Sequence, residues 1–274
     1  MKKYILTDDI ITETNGKTLH RIQAVRSFGN IKEGDLGGYI EKEINLSHLD
    51  NAWVYNNAKV YDNANICGNA KVRDNTIVCG NAIVSGNTTV YYNAKIYGNA
   101  MVYCNAIVSD NACIYGNAKI GDNARVYGNT KVFGNAIING NAWVYETALI
   151  CDNAWVCGNA WVCGNARVAG DAKISENARV SGNTIVNGNV WVDGNARVAG
   201  DAKISENKDY IVFKNWWSSC RYFTWTRSNN MWRVGCFYGT GEELIKKAYS
   251  DSDLSGREYE RVVKYVEQIL KEEQ

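Results

Sequence analysis

Residues 123–134 read Asn123-Ala124-Arg125-Val126-Tyr127-Gly128-Asn129-Thr130-Lys131-Val132-Phe133-Gly134, two copies of one six-residue unit. The unit runs without insertion or deletion from Asn51 to Glu206, giving 26 hexads. Its fourth position, Val54 through Ile204, is Val or Ile in all 26, and its second is Ala in 21. The first position is Asn in 23, and the sixth is Gly in 15 and Asp in five. Alternation along a strand puts the Ala and the Val on one face and the residue between them on the other. Gly, Asp and Asn at the sixth position tolerate positive φ, so a sharp corner follows each short strand. A strand and a corner every six residues cannot build a hairpin sheet. They build a coil that stacks on itself as a parallel β-solenoid with a narrow, apolar interior.

The rest of the composition agrees. The 274 residues include 25 glycines and no proline, so every backbone N–H is kept as a donor. Thirty basic residues against 29 acidic leave a net charge of +1, which argues against a nucleic-acid-binding protein. No apolar run approaches the roughly 18 residues of a membrane span. Lys2-Lys3 is followed by only three apolar residues before Thr7-Asp8-Asp9, so no secretory signal is expected and the chain reads as cytoplasmic.

Val126-Tyr127-Gly128-Asn129-Thr130 and Val156-Cys157-Gly158-Asn159-Ala160 resemble the motif of the hexapeptide-repeat family of left-handed parallel β-helices. In that family three hexads make one triangular turn, so residues 18 apart stack, and the 26 hexads imply between eight and nine turns. The family includes acyltransferases with a histidine base and a projecting loop. Here both histidines, His20 and His48, precede the repeats, and no loop interrupts them. Three zinc-binding histidines, as in the carbonic-anhydrase-like members, are not available. Cys151, Cys157 and Cys163 fall on three different corners and cannot share a metal, so no metal or cofactor is expected. The nine cysteines are expected to be free thiols.

With an 18-residue period the outward positions read as columns. One face presents Ile83, Met101, Ile137, Trp155 and Trp191, with Asn65, Lys119 and Lys173 between them. An apolar column facing water is expected to be a self-association surface, with a trimer as the assembly that the resemblance implies. A neighbouring column is more basic, with Arg125, Trp143, Trp161, Arg179 and Arg197. A corner column of Tyr61, Cys79, Tyr97, Tyr115 and Phe133 predicts stacked rings. The block 161–177 recurs as 191–207 with one mismatch, at an offset of 30 that is not a multiple of 18. The copy therefore lies on different faces from its template, which a scaffold tolerates better than a composed catalytic face.

The ends differ from the middle. Residues 1–50 read as a small β cap, with strands at 4–6 and 10–12 and an Asn15-Gly16 turn. Residues 51–207 are the β-helix. Residues 208–274 read as a β-β-β-α-α module, with strands at 210–214, 221–227 and 231–238 and capping boxes at 240–243 and 255–258. Within the module Trp216, Arg221, Trp225, Arg227 and Trp232 combine planar rings with guanidinium groups, a candidate binding set for a nucleotide or phosphorylated ligand, with sheet core as the competing role.

Phe28-Gly29-Asn30, residues 34–41 and Asn45-Leu46-Ser47 resemble the opening of YdcK-like hexapeptide-repeat proteins, many of them phage- or prophage-encoded. Val234-Gly235-Cys236-Phe237-Tyr238-Gly239-Thr240 resembles a module that often follows such repeats. The expected function is a non-enzymatic scaffold or binding protein, a homo-oligomer presenting its C-terminal module to a host or viral partner. Two alternatives are an acyltransferase-like enzyme and an anti-defence protein that sequesters a nucleotide-type ligand.

Overall fold

The chain opens with β1 (Tyr4–Thr12), β2 (Thr18–Ala24) and β3 (Leu36–Ile40) in the computed structural model, which describes residues 2–273. Each hexad then forms a two-residue strand, from β4 (Trp53–Val54) to β29 (Lys203–Ile204). Strands 18 residues apart pair in parallel and in register, so that Arg125 lies between Ile107 and Trp143. Three sheets result, of 12, nine and eight strands, the first extended by β1, β2 and β3. The molecule is thus the parallel β-solenoid of about nine turns that the hexads predict. The inward Ala and Val/Ile positions, from Ala52 and Val54 to Ala202 and Ile204, are fully buried. They form one continuous core along the rod.

Corners carry the positive φ that the sixth position requires, +78° at Gly128 and +60° at Asp62. The corner aspartates do more than tolerate this conformation. Asp62 accepts the N–H of Gly80 one layer on at 2.9 Å, and Asp110 and Asp122 accept those of Gly128 and Gly140 at 2.9 Å. The first-position asparagines make side-chain amide ladders, one of which starts at Asn51 and Asn69 (3.1 Å) and reaches Asn159 and Asn177 (3.3 Å).

A solenoid leaves open hydrogen-bonding groups at both ends, and both are capped here. At the first coil, Ala58 O accepts from Tyr39 N (2.9 Å), Ala64 O from Asn45 Nδ2 (2.8 Å) and Ala52 O from Lys3 Nζ (2.8 Å). Lys3 is buried, donates also to Leu49 O at 3.2 Å, and lies 5.0 Å from the Phe28 ring. Its burial lowers its pKa to about 8, against the opposing pull of Asp50. At the last coil Trp191 N donates to Asn207 Oδ1 (2.9 Å), Arg197 N to Thr224 Oγ1 (2.8 Å) and Lys203 N to Ser228 Oγ (2.6 Å). One side-chain acceptor thus closes each of the three sheets.

Those last acceptors belong to a turn and an antiparallel sheet in the order β30 (Tyr210–Lys214), β31 (Tyr222–Thr226), β32 (Met231–Val234) and β33 (Phe237–Gly239). Two helices, α1 (Gly241–Asp251) and α2 (Asp253–Glu272), follow. Three expectations are corrected. The third strand is two, because Gly235 at φ +60° turns the chain back between β32 and β33. The second helix begins a turn early: Ser252, not Ser255, is its N-cap and accepts the Ser255 N–H. The strands at 4–6 and 10–12 are one strand, irregular between Leu6 and Ile10. The capping box at Thr240 and Glu243 forms as expected. Among the described residues, no helix is long and apolar enough to cross a membrane.

Candidate binding surface at the end of the solenoid

Strand β31 is buried on both faces. Phe223 and Trp225 point into a second core with Trp232, Leu244, Tyr259, Val263 and Val266, while Thr224 reaches the last coil. Trp225 and Trp232 are each 1% exposed, and the Trp225 indole N–H is spent on Asn230 Oδ1 at 2.8 Å. These two tryptophans are therefore sheet core, and the five residues expected to form one binding set do not meet on one surface. Arg227 is tied to Glu273 at 2.5 Å and to Lys208 O at 3.3 Å, joining the start of the module to its C-terminal helix. Trp216 is 71% exposed and packs edge-on against Trp217. Arg221, also exposed, lines a cleft of about 320 Å³ with Cys236, Lys247, Asp251 and Tyr259.

Arg221 lines a second cleft as well, of about 330 Å³, between the module and the rod, together with Asn177, Arg179, Asn195, Arg197 and Tyr222. A third, of about 160 Å³, lies across the same two solenoid arginines and is lined by Trp161, Cys163, Arg179, Arg197 and Arg233. Arg179 and Arg197 are paired neighbours in the ladder, one layer apart. The module thus folds Arg221 to one side of this pair and Arg233 to the other. Among the described residues, none of the four forms an ion pair, although Glu176, Asp193 and Asp201 lie on the same terminal coils. Desolvation, followed by the charges of Arg179, Arg233 and Arg221, makes the Arg197 proton easier to lose than usual.

Below the arginines the column is aromatic. Trp143 and Trp161 stack at 5.3 Å, with Arg125 over the first ring (5.0 Å) and Arg179 over the second (4.4 Å). Both faces of Trp161 are therefore occupied, one by Trp143 and the other by the guanidinium of Arg179.

The apolar column lies on the eight-stranded sheet, where Met101 pairs with Ile83 and Trp155 with Ile137, and Lys119 and Lys173 interrupt it. Its exposed part is small. Trp155 (39% exposed) and Trp191 (55% exposed) clasp Lys173, whose ammonium is 4.3 Å and 5.1 Å from the two rings.

Both histidines serve the N-terminal cap: His48 stacks on Tyr4 at 4.3 Å, and His20 Nδ1 is 3.1 Å from Thr7 O. Cys151, Cys157 and Cys163 follow strands of three different sheets, and all nine cysteines are free. Burial pushes the Cys151, Cys157 and Cys163 thiols up.

The repeat has a recognised relative. Residues 78–92 and 94–110 match the YdcK beta-solenoid repeat. The match lies on early coils, far in sequence from the arginines, so it supports a repeat β-helix protein and carries nothing about the junction. No curated protein matches the chain.

Proposed function

We infer that the protein is a binding scaffold: a rigid solenoid whose end is built into a small α+β module, with the recognition surface at their junction. The observation that carries this reading is the group of four arginines, two from the rod and two from the module, that form no ion pair among the described residues and stand around adjoining clefts. A surface assembled from both parts is a reason for the two to be joined. The module is fixed there by Thr224, Ser228 and the Tyr238 hydroxyl, which lies 3.4 Å from Ala199 O. Self-association through the column containing Trp155 and Trp191, as a trimer, belongs to the same reading. The resemblance of the opening segment supports a phage or prophage setting, with the host cytoplasm as the place of action and a host or phage component as the partner. An anti-defence role rests on that resemblance alone.

The test is retention. Immobilised full-length protein is exposed to host lysate, and bound proteins and small molecules are identified by mass spectrometry for the natural chain and for Arg197→Glu. The reading expects a component held by the first and lost by the second. Retention indifferent to Arg197→Glu would contradict it, as would turnover of acetyl-CoA with release of free thiol, the outcome expected of an acyltransferase.

A further inference from the structure

The arginines at the junction are arranged in a way that narrows what they bind. Like charges directly paired in a ladder repel, yet Arg179 and Arg197 occupy adjacent rungs of one sheet and the module adds Arg221 and Arg233 beside them. The positive charge is local. Farther down the same column Trp161 and Trp143 follow, then a single Arg125 and Ile107, and the whole chain carries a net charge of only +1. An extended polyanion such as a nucleic acid would find no continuing basic track along the rod. A compact anion with several charged groups fits: one group in the smaller cleft near Arg233, the next across Arg179 and Arg197, and the remainder in the larger cleft near Arg221 and Tyr222. Planar guanidinium forks, with that of Arg197 partly desolvated and that of Arg179 lying over the Trp161 ring, suit phosphate oxygens in particular.

We propose that the junction formed by Arg179, Arg197, Arg221 and Arg233 is a binding site for a small oligophosphate, either inorganic or the phosphate chain of a nucleotide. This assignment rests on the binding reading above and names its ligand class. Titration calorimetry of the full chain at constant ionic strength, with sodium tripolyphosphate and separately with a nucleoside triphosphate, tests it. Saturable binding is expected, weakened at least tenfold by Arg197→Ala and by Arg233→Ala. Arg221→Ala, at an exposed position on the module, weakens it without endangering the fold. Arg125→Ala, lower in the column, leaves it unchanged. Equal affinity for both probes assigns the site to the phosphate chain alone, and tighter binding of the nucleotide assigns it to a nucleotide. Absence of saturable binding overturns the proposal, as does binding that the three site variants leave intact, or displacement of tripolyphosphate only by long single-stranded DNA. Should tripolyphosphate fail while Arg197→Glu still releases the partner captured from lysate, the oligophosphate assignment falls and the binding reading stands.

Discussion

At the residue scale, the interior of the tube distinguishes two kinds of threonine. Thr76, Thr88 and Thr130 stand where most hexads have Ala, and their buried hydroxyls have no hydrogen-bond partner among the described residues. Thr184 is in the same register but donates to Ser181 O at 2.6 Å. Thr130→Ala is therefore expected to leave stability unchanged or raise it, and Thr184→Ala to lower it by about 1 kcal/mol, the net worth of one hydrogen bond. Urea denaturation of the two variants checks the contrast. Titration follows from burial in the same way. Cys67, Cys79, Cys151, Cys157 and Cys163 have thiols pushed above their ordinary range by desolvation. In the unfolded chain they ionise first, near about pH 8.5, so the unfolded state holds fewer protons there and stability falls as pH rises through that value. Lys3 has the opposite sign. Its folded pKa of about 8 lies below the unfolded value of about 10.4, so stability rises across that interval. The urea midpoint is expected to fall above about pH 8.5, and to fall more steeply in Lys3→Met, where the opposing group is gone.

At the scale of elements, the strands were legible because each obeys a local rule. Val54 and its successors mark them, and the Gly, Asp and Asn corners bound them. What the sequence did not display is how the ends are closed. Thr224 and Ser228 look like ordinary strand and turn residues, yet their hydroxyls accept the last open N–H groups of two sheets. No periodicity announces a cap made across 25 or 27 residues by a segment outside the repeat. Thr224→Val leaves Arg197 N buried against an apolar group and should cost about 1–3 kcal/mol. Native-state hydrogen exchange should show the Arg197 amide protected in the natural chain and at least tenfold faster in the variant. Gly200 offers an independent probe, because a Cβ there would lie 1.8 Å from the Tyr238 hydroxyl. Gly200→Ala is expected to displace Tyr238 and loosen the module, seen as faster proteolysis within 208–240 with the solenoid signal in circular dichroism retained.

At the scale of the whole molecule, the site emerges from two facts that the sequence kept apart. The 18-residue period places Arg179 beside Arg197, and the copied block shows why this is a property of the face. Arg167, the counterpart of Arg197 in the template block, has Leu149 and Ile185 as its ladder neighbours instead. That half of the site was readable. The other half depends on the module folding back across the last coil, which brings Arg221 and Arg233 to the pair. The sequence singled out Trp225 and Trp232 for their chemistry, but alternation on strands packed against helices sent both indoles into the core. Trp155 and Trp191 remain outside, and if their column joins copies, Trp155→Glu with Trp191→Glu should reduce the mass measured by light scattering to that of a monomer. An unchanged mass would place any association elsewhere.

The claim on which the account turns is that rod and module together form one anion-binding junction. Hydrogen–deuterium exchange of the full chain with and without tripolyphosphate measures this directly. Added protection confined to 177–203 and 221–236 is the predicted result. Protection elsewhere, or none at saturating ligand, would contradict it.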